Sequence, residues 1–155
     1  MVKRNNKIVG AAGEHYVMYE LLRRNFVAAL VPEGIPSVDI LISDVWGSHL
    51  ASVQVKTASA PRKTWPLGPK NEALESNRLF YCFVMPEDDE MASPTCWIIP
   101  SKVVAKHVRV SHQTWLSGTA RRGATRNDSE RRAFHMSCEP LKDYPLGCLD
   151  QYQEN

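Results

Sequence analysis

Four residues have types and spacing suited to work on a phosphodiester bond: Glu14, Asp39, Gln54 and Lys56. A carboxylate and an amide oxygen beside an ammonium group suit hydrolysis assisted by Mg2+ (or Mn2+), because Mg2+ takes oxygen ligands and keeps several waters. Asp39 would be the main ligand. Gln54 would offer its side-chain oxygen and Val55 its backbone carbonyl, while Glu14 could hold a second ion or orient a water. Lys56 would position or help deprotonate the attacking water, or stabilise charge on the phosphate. The metal would supply Lewis acidity and a more acidic water.

These residues need elements to position them. Residues 7–25 read as a helix, since Val17, Leu21 and Leu22 recur at helical spacing without a proline. A short apolar run, 26–31, stops at Pro32. Residues 33–37 carry Gly34 and Pro36 and read as a loop. VDILI (38–42) and LASVQVK (50–56) read as strands joined by a turn at 44–48 that contains Gly47. Residues 58–77 read as a long loop with a short helix near Glu72. Further strands are expected at 78–85 and 95–99, then a helix over 102–109 with Ser101 as its N-cap. The rest reads as a basic loop and an irregular end.

The strand pair tests itself. A turn at Trp46-Gly47 makes Val38 face Val55, Ile40 face Val53 and Ile42 face Ala51, all apolar and on one side. Asp39 then faces Gln54, and Lys56 lies two residues further on the same side. A one-residue slip would destroy this matching. Glu14 precedes Val17, Met18 and Leu21 by three, four and seven residues and so shares the helix face that packs on the sheet. A carboxylate there is costly unless paired, protonated or bound to a metal. Gly10 and Gly13 leave room beside it. Glu20 can pair with Arg24 one turn on and reads as a surface residue.

Gly13-Glu14, Val38-Asp39-Ile40 and Val53-Gln54-Val55-Lys56-Thr57, in this order and context, resemble the PD-(D/E)XK endonuclease superfamily. That group includes restriction-type endonucleases and Holliday-junction-resolvase-like proteins. The resemblance covers about 7–57 through motifs and extends weakly through 80–84 and 97–101. It implies an α/β fold with a restriction-endonuclease-like core, a central mixed β-sheet flanked by helices, and a metal-dependent deoxyribonuclease. By it, Glu14 matches the glutamate of the first helix, Asp39 the motif aspartate and Lys56 the motif lysine. Gln54 stands where an acid is usual and Val38 where proline is usual. Glutamine also occurs in active members, but it removes one negative charge. A second reading therefore stands beside the enzyme: a catalytically degenerate module on the same scaffold that binds nucleic acid or a protein partner.

Composition agrees with one domain. The chain has 155 residues, 43% hydrophobic and 23% charged, with a formal net charge of +2. That size suits a single domain over 1–155, with a core at about 7–110 and a basic, less regular C-terminal extension at about 111–155. Between 101 and 134 there are eight Lys or Arg against two acids, a net +6 that permits a basic face for DNA. Lys63, Lys70, Arg121, Arg122, Arg126, Arg131 and Arg132 are the candidate phosphate contacts. Trp65 and Trp115 could stack on bases or pack in the core. The four cysteines form no CxxC pair, and Cys82 and Cys96 read as small buried hydrophobes. The five histidines show no metal spacing. Without an apolar signal core or a run of roughly 18 apolar residues, the chain is expected in the cytoplasm with no membrane partner. A homodimer would suit a nuclease that cuts both strands, but no interface signal is visible.

Overall fold

The computed structural model describes residues 5–58, 63–87, 89, 91–120, 123–135 and 137–146. Helix α1 (Asn6–Leu22) starts at Asn5, whose side chain accepts from the Lys7 amide. Strands β1 (Val27–Leu30), β2 (Ile40–Ser43) and β3 (Ala51–Thr57) follow, then β4 (Thr64–Leu67) and the short helix α2 (Lys70–Ala73). Strands β5 (Leu79–Met85) and β6 (Thr95–Pro100) lead into α3 (Ser101–Ser117), β7 (Arg132–His135) and α4 (Pro140–Asp143).

The main sheet runs β1-β2-β3-β5-β6 and is antiparallel except for the parallel pair β3–β5. Its β2–β3 register is the one the apolar matching requires: Ile40 faces Val53 and Ile42 faces Ala51. The turn between them is built by Asp44. One of its oxygens accepts from the amides of Trp46 and Ser48 and the other pairs with His49, while Gly47 takes the positive φ of 72° that glycine tolerates.

Alternation along the strands divides the core into two layers. On one face, Val17 and Leu21 of α1 bury Ile40, Ile42, Val53, Val55, Cys82 and Val84. On the other, α3 contributes Val104 and Val108 over Tyr81, Phe83, Met85 and Ile99. A second sheet, β4–β7, completes that layer with Trp65 and Phe134. Phe134 stacks on Phe83 at 4.5 Å, and Trp65 meets Phe83 at 5.0 Å while its Nε1 donates to the Val84 carbonyl at 3.0 Å. Trp65 is therefore a core residue.

Several local expectations are corrected. The helix expected to end at 109 continues to Ser117, and β7 and α4 occupy a region read as irregular. Ser101 is the first helical residue and caps nothing. Its hydroxyl instead accepts from the Ser76 amide and donates to the Ser76 carbonyl, tying α3 to the loop before β5. Glu20 pairs with Arg24, and with Arg23 at 3.1 Å, but it is buried rather than on the surface. Burial alone would push its carboxyl up, but hydrogen bonds from the two arginines outweigh this and hold it below the usual carboxylate range. Among the described residues, no helix is long and apolar enough to cross a membrane.

Because Phe134 is fully buried against Phe83 and Trp65, Phe134→Ala should cost about 3–5 kcal/mol of stability. Urea denaturation measures this. A loss well under 1 kcal/mol would show that β7 is not part of the core.

Candidate active site

The site is built where the β2–β3 ladder ends. Asp39 lies one residue before β2. Its amide donates to the Val53 carbonyl at 2.9 Å and its carbonyl accepts from Val31 at 3.0 Å. The next ladder bond is made by its side chain: Oδ2 accepts from the Val55 amide at 2.6 Å. A carboxylate that substitutes for main chain in this way is fixed by both neighbouring strands. One of its oxygens is left for other work.

Glu14 and Lys56 approach this carboxylate from different layers. The pairings of Gln54 with Tyr81 and of Lys56 with Phe83 place both on the α3 side of the sheet. Helix α1 covers the opposite side, so the four residues do not project from one face. Glu14 and Lys56 nevertheless both sense the charge of Asp39, and each senses the other. Burial, and then the Asp39 carboxylate, raise the Glu14 carboxyl above its ordinary range. Glu33 adds to this, and His15 and Lys56 oppose it. Burial lowers the Lys56 ammonium below the ordinary lysine value against the pull of Asp39 and Glu14, and Lys70 pushes it the same way. Gln54 is buried, and its Oε1 has no hydrogen-bond partner among the described residues.

One close approach brings α1 to this place. A Cβ at Gly13 would stand 1.9 Å from Thr57 Oγ1 and 3.0 Å from Thr57 Cβ, so only glycine lets the helix sit this near β3. Glu14, the next residue, is thereby carried to the sheet end. A cleft of about 630 Å³ opens between the first half of α1 and the 30–39 segment, with Glu14, Asp39, Glu33 and Lys7 on its walls. Glu33 escaped the sequence reading because a loop residue has no periodicity to reveal its neighbours.

The donor set is oxygen only: the carboxylates of Asp39 and Glu14, the unpartnered Gln54 Oε1 and the Val55 carbonyl. It suits a hard cation such as Mg2+ that keeps waters. The Asp39 charge raises the Glu14 carboxyl, and a cation beside the two would relieve that repulsion. Among the described residues, no group of three or more His, Cys, Asp or Glu is placed to hold a metal.

The basic candidates divide. Lys63, Lys70 and Arg131 are exposed. Arg132 is not available for phosphate, since its side chain is 6% exposed and pairs with Glu72. Arg126 lies over the Trp115 ring at 5.1 Å and donates to the Trp115 carbonyl at 2.6 Å, which also occupies the face of Trp115. His112 stacks on the same indole at 5.7 Å. Arg121 and Arg122 lie outside the described residues.

Two predictions follow from the strain here. Gly13→Ala should destabilise by about 1–3 kcal/mol, the scale of overpacking, despite the ~1 kcal/mol that alanine gains in helix propensity. The cost should shrink in a Thr57→Ala background, read by urea denaturation as a double-mutant cycle. Additivity would contradict the contact. Separately, the lowered Lys56 penalises the folded state below its folded pKa, and the raised Glu14 penalises it above its folded pKa, so both costs are present at neutral pH. Lys56→Met and Glu14→Gln should each raise the metal-free Tm there. The Glu14→Gln gain should vanish as pH falls below the ordinary glutamate value. A lower Tm in both variants would contradict the assignment.

No protein-family model and no curated protein matches the chain. Solved structures do. The Holliday junction resolvase Hjc of the archaeal hyperthermophile Archaeoglobus fulgidus is similar with a TM-score of 0.54 at 13% identity, over 92% of this chain and 95% of that one. A bacterial homing endonuclease is similar with a TM-score of 0.51 at 16% identity, over 97% of this chain and 94% of that one. At these identities the likeness establishes the fold: a mixed α/β domain whose five-stranded mixed sheet is flanked by helices, as in nuclease structures.

Proposed function

We propose that this protein is a Mg2+-dependent nuclease that hydrolyses DNA phosphodiester bonds, a QxK variant of the PD-(D/E)XK endonucleases. The observation that carries the reading is the Asp39 carboxylate, fastened to Val55 at the end of β3 with Glu14 and Lys56 both in electrostatic contact with it. The likeness to two DNA-cleaving proteins of this fold supports it.

Asp39, Glu14, Gln54 and the Val55 carbonyl would hold the ion, which when bound supplies Lewis acidity and a more acidic water. Asp39 keeps one carboxylate oxygen directed by the Val55 hydrogen bond, so its orientation is set before substrate arrives. Glu14, with raised proton affinity, is suited to accept a hydrogen bond from the attacking water and orient it. Lys56, pushed toward its neutral form, is suited either to take a proton from that water or to place its charge on the phosphate as negative charge grows there. Lys63, Lys70 and Arg131 supply cations for the DNA backbone.

A second reading has one observation behind it. Gln54 replaces an acid, which leaves two carboxylates at the centre. In that reading the chain is a binding module that does not cut.

The deciding assay is cleavage of linear, circular, single-stranded and branched DNA with and without Mg2+. Wild type should cut only with the metal, and Lys56→Ala should lose about 10²-fold or more of the rate, the usual contribution of a positioned proton-transfer group. Cleavage that survives Lys56→Ala would reject the mechanism. DNA binding without cleavage and indifferent to metal would favour the module.

A further inference from the structure

The chain passes from β3 to its parallel neighbour β5 through β4 and α2. A helix of one turn has little stability of its own, yet α2 is held from three directions. Asn71 is buried. It donates from Nδ2 to the Tyr81 hydroxyl at 2.7 Å and accepts from the Gly68 amide at 2.8 Å. Tyr81 is the cross-strand partner of Gln54, so this contact fixes α2 over the face that carries Gln54 and Lys56. Arg132 pairs with the Glu72 carboxylate from β7. Arg109 of α3 donates to the Glu72 carbonyl at 2.7 Å and pairs with Glu75 at 3.1 Å.

Lys70 opens this braced turn. It is exposed, it has no carboxylate partner among the described residues, and it directly precedes Asn71, whose bond to Tyr81 holds α2 over the face that carries Lys56. A polyanion lying across this face of the sheet would meet both cations. The buried Arg132 and the half-exposed Arg109 thus hold in place the turn that Lys70 begins.

We propose that Lys70 is a DNA-binding residue of the active site, taking a backbone phosphate neighbouring the one at Lys56, so that the strand leaves the Asp39–Lys56 centre across α2. Arg132 and Arg109 are then positioning residues that act through Glu72. The inference rests on the nuclease reading for what occupies the centre, but it concerns binding and is tested without catalysis.

The test is fluorescence anisotropy of a labelled DNA duplex in EDTA over a salt series, with wild type, Lys70→Ala, Lys70→Arg and, as control, Lys142→Ala. Lys142 is exposed on α4 and pairs with Glu139. Each variant's Tm is checked against wild type. Lys70→Ala should weaken binding and reduce the slope of log K against log salt by about one, the loss of one phosphate contact. Lys70→Arg and Lys142→Ala should keep the slope. In the Mg2+ reaction, Lys70→Ala should raise KM more than it lowers kcat. An unchanged slope in Lys70→Ala overturns the proposal even if wild type cuts DNA. A reduced slope in a protein that never cuts upholds Lys70 and rejects the nuclease. A wild type that binds no DNA overturns both.

Discussion

The Val55 amide and the Asp39 carboxylate meet at 2.6 Å, and this hydrogen bond joins the sheet to the site. Up to that point β2 and β3 are held by main chain. At that point a side chain takes over the ladder, because the Asp39 carbonyl is already committed to Val31. The arrangement resolves a conflict. A carboxylate at a half-buried strand end is costly without partners, and an amide at a strand edge needs an acceptor. Each satisfies the other, and the remaining carboxylate oxygen is aimed by rigid elements. Sites held by strands and helices are more precise than sites on loops.

Everything else at the centre is brought to that carboxylate from outside the β2–β3 pair. Gly13 lets α1 sit against Thr57, which delivers Glu14 from one layer. The Asn71–Tyr81 contact fixes α2 against the other layer, next to the face that carries Lys56. The site thus lies at the sheet margin between two separately packed cores. This position has a thermodynamic consequence. Glu14 is raised and Lys56 lowered, so each is held where its charged form is less comfortable than in water. Such strain is common where stability has been given up for function.

Much of the sheet was legible in the sequence because its period is two and its register has only one apolar solution. Val53, Val55, Ile40 and Ile42 could match in one way, and Gly47 marked the turn. Glu14 was found by helical spacing from Val17 and Leu21. Other features depend on contacts far along the chain. Strand β4 contains Pro66 and is four residues long, and it exists because β7, far along the chain, pairs with it from Thr64–His135 to Leu67–Arg132. A proline is tolerated there because the pair is a two-stranded sheet with open edges. Arg132 read as a phosphate contact because its sequence neighbours are basic, and only the fold brings Glu72 to it. Ser101 had the type and position of a helix cap, but the nearby Ser76 backbone took its hydroxyl. The Ile40–Val53 and Ile42–Ala51 pairings were legible. That Glu14 reaches Asp39 from the opposite layer was not, since a strand pair alone does not say which face the helix will cover.

The central proposal is that Asp39, with Glu14 and the unpartnered oxygen of Gln54, would hold a cation beside β3. Titration calorimetry with Mn2+ on the DNA-free protein tests it most directly. The account predicts a saturable heat for wild type that disappears in Asp39→Ala and weakens in Glu14→Gln. A wild-type protein that takes up no ion, or an Asp39→Ala variant that binds it as well as wild type does, would contradict it.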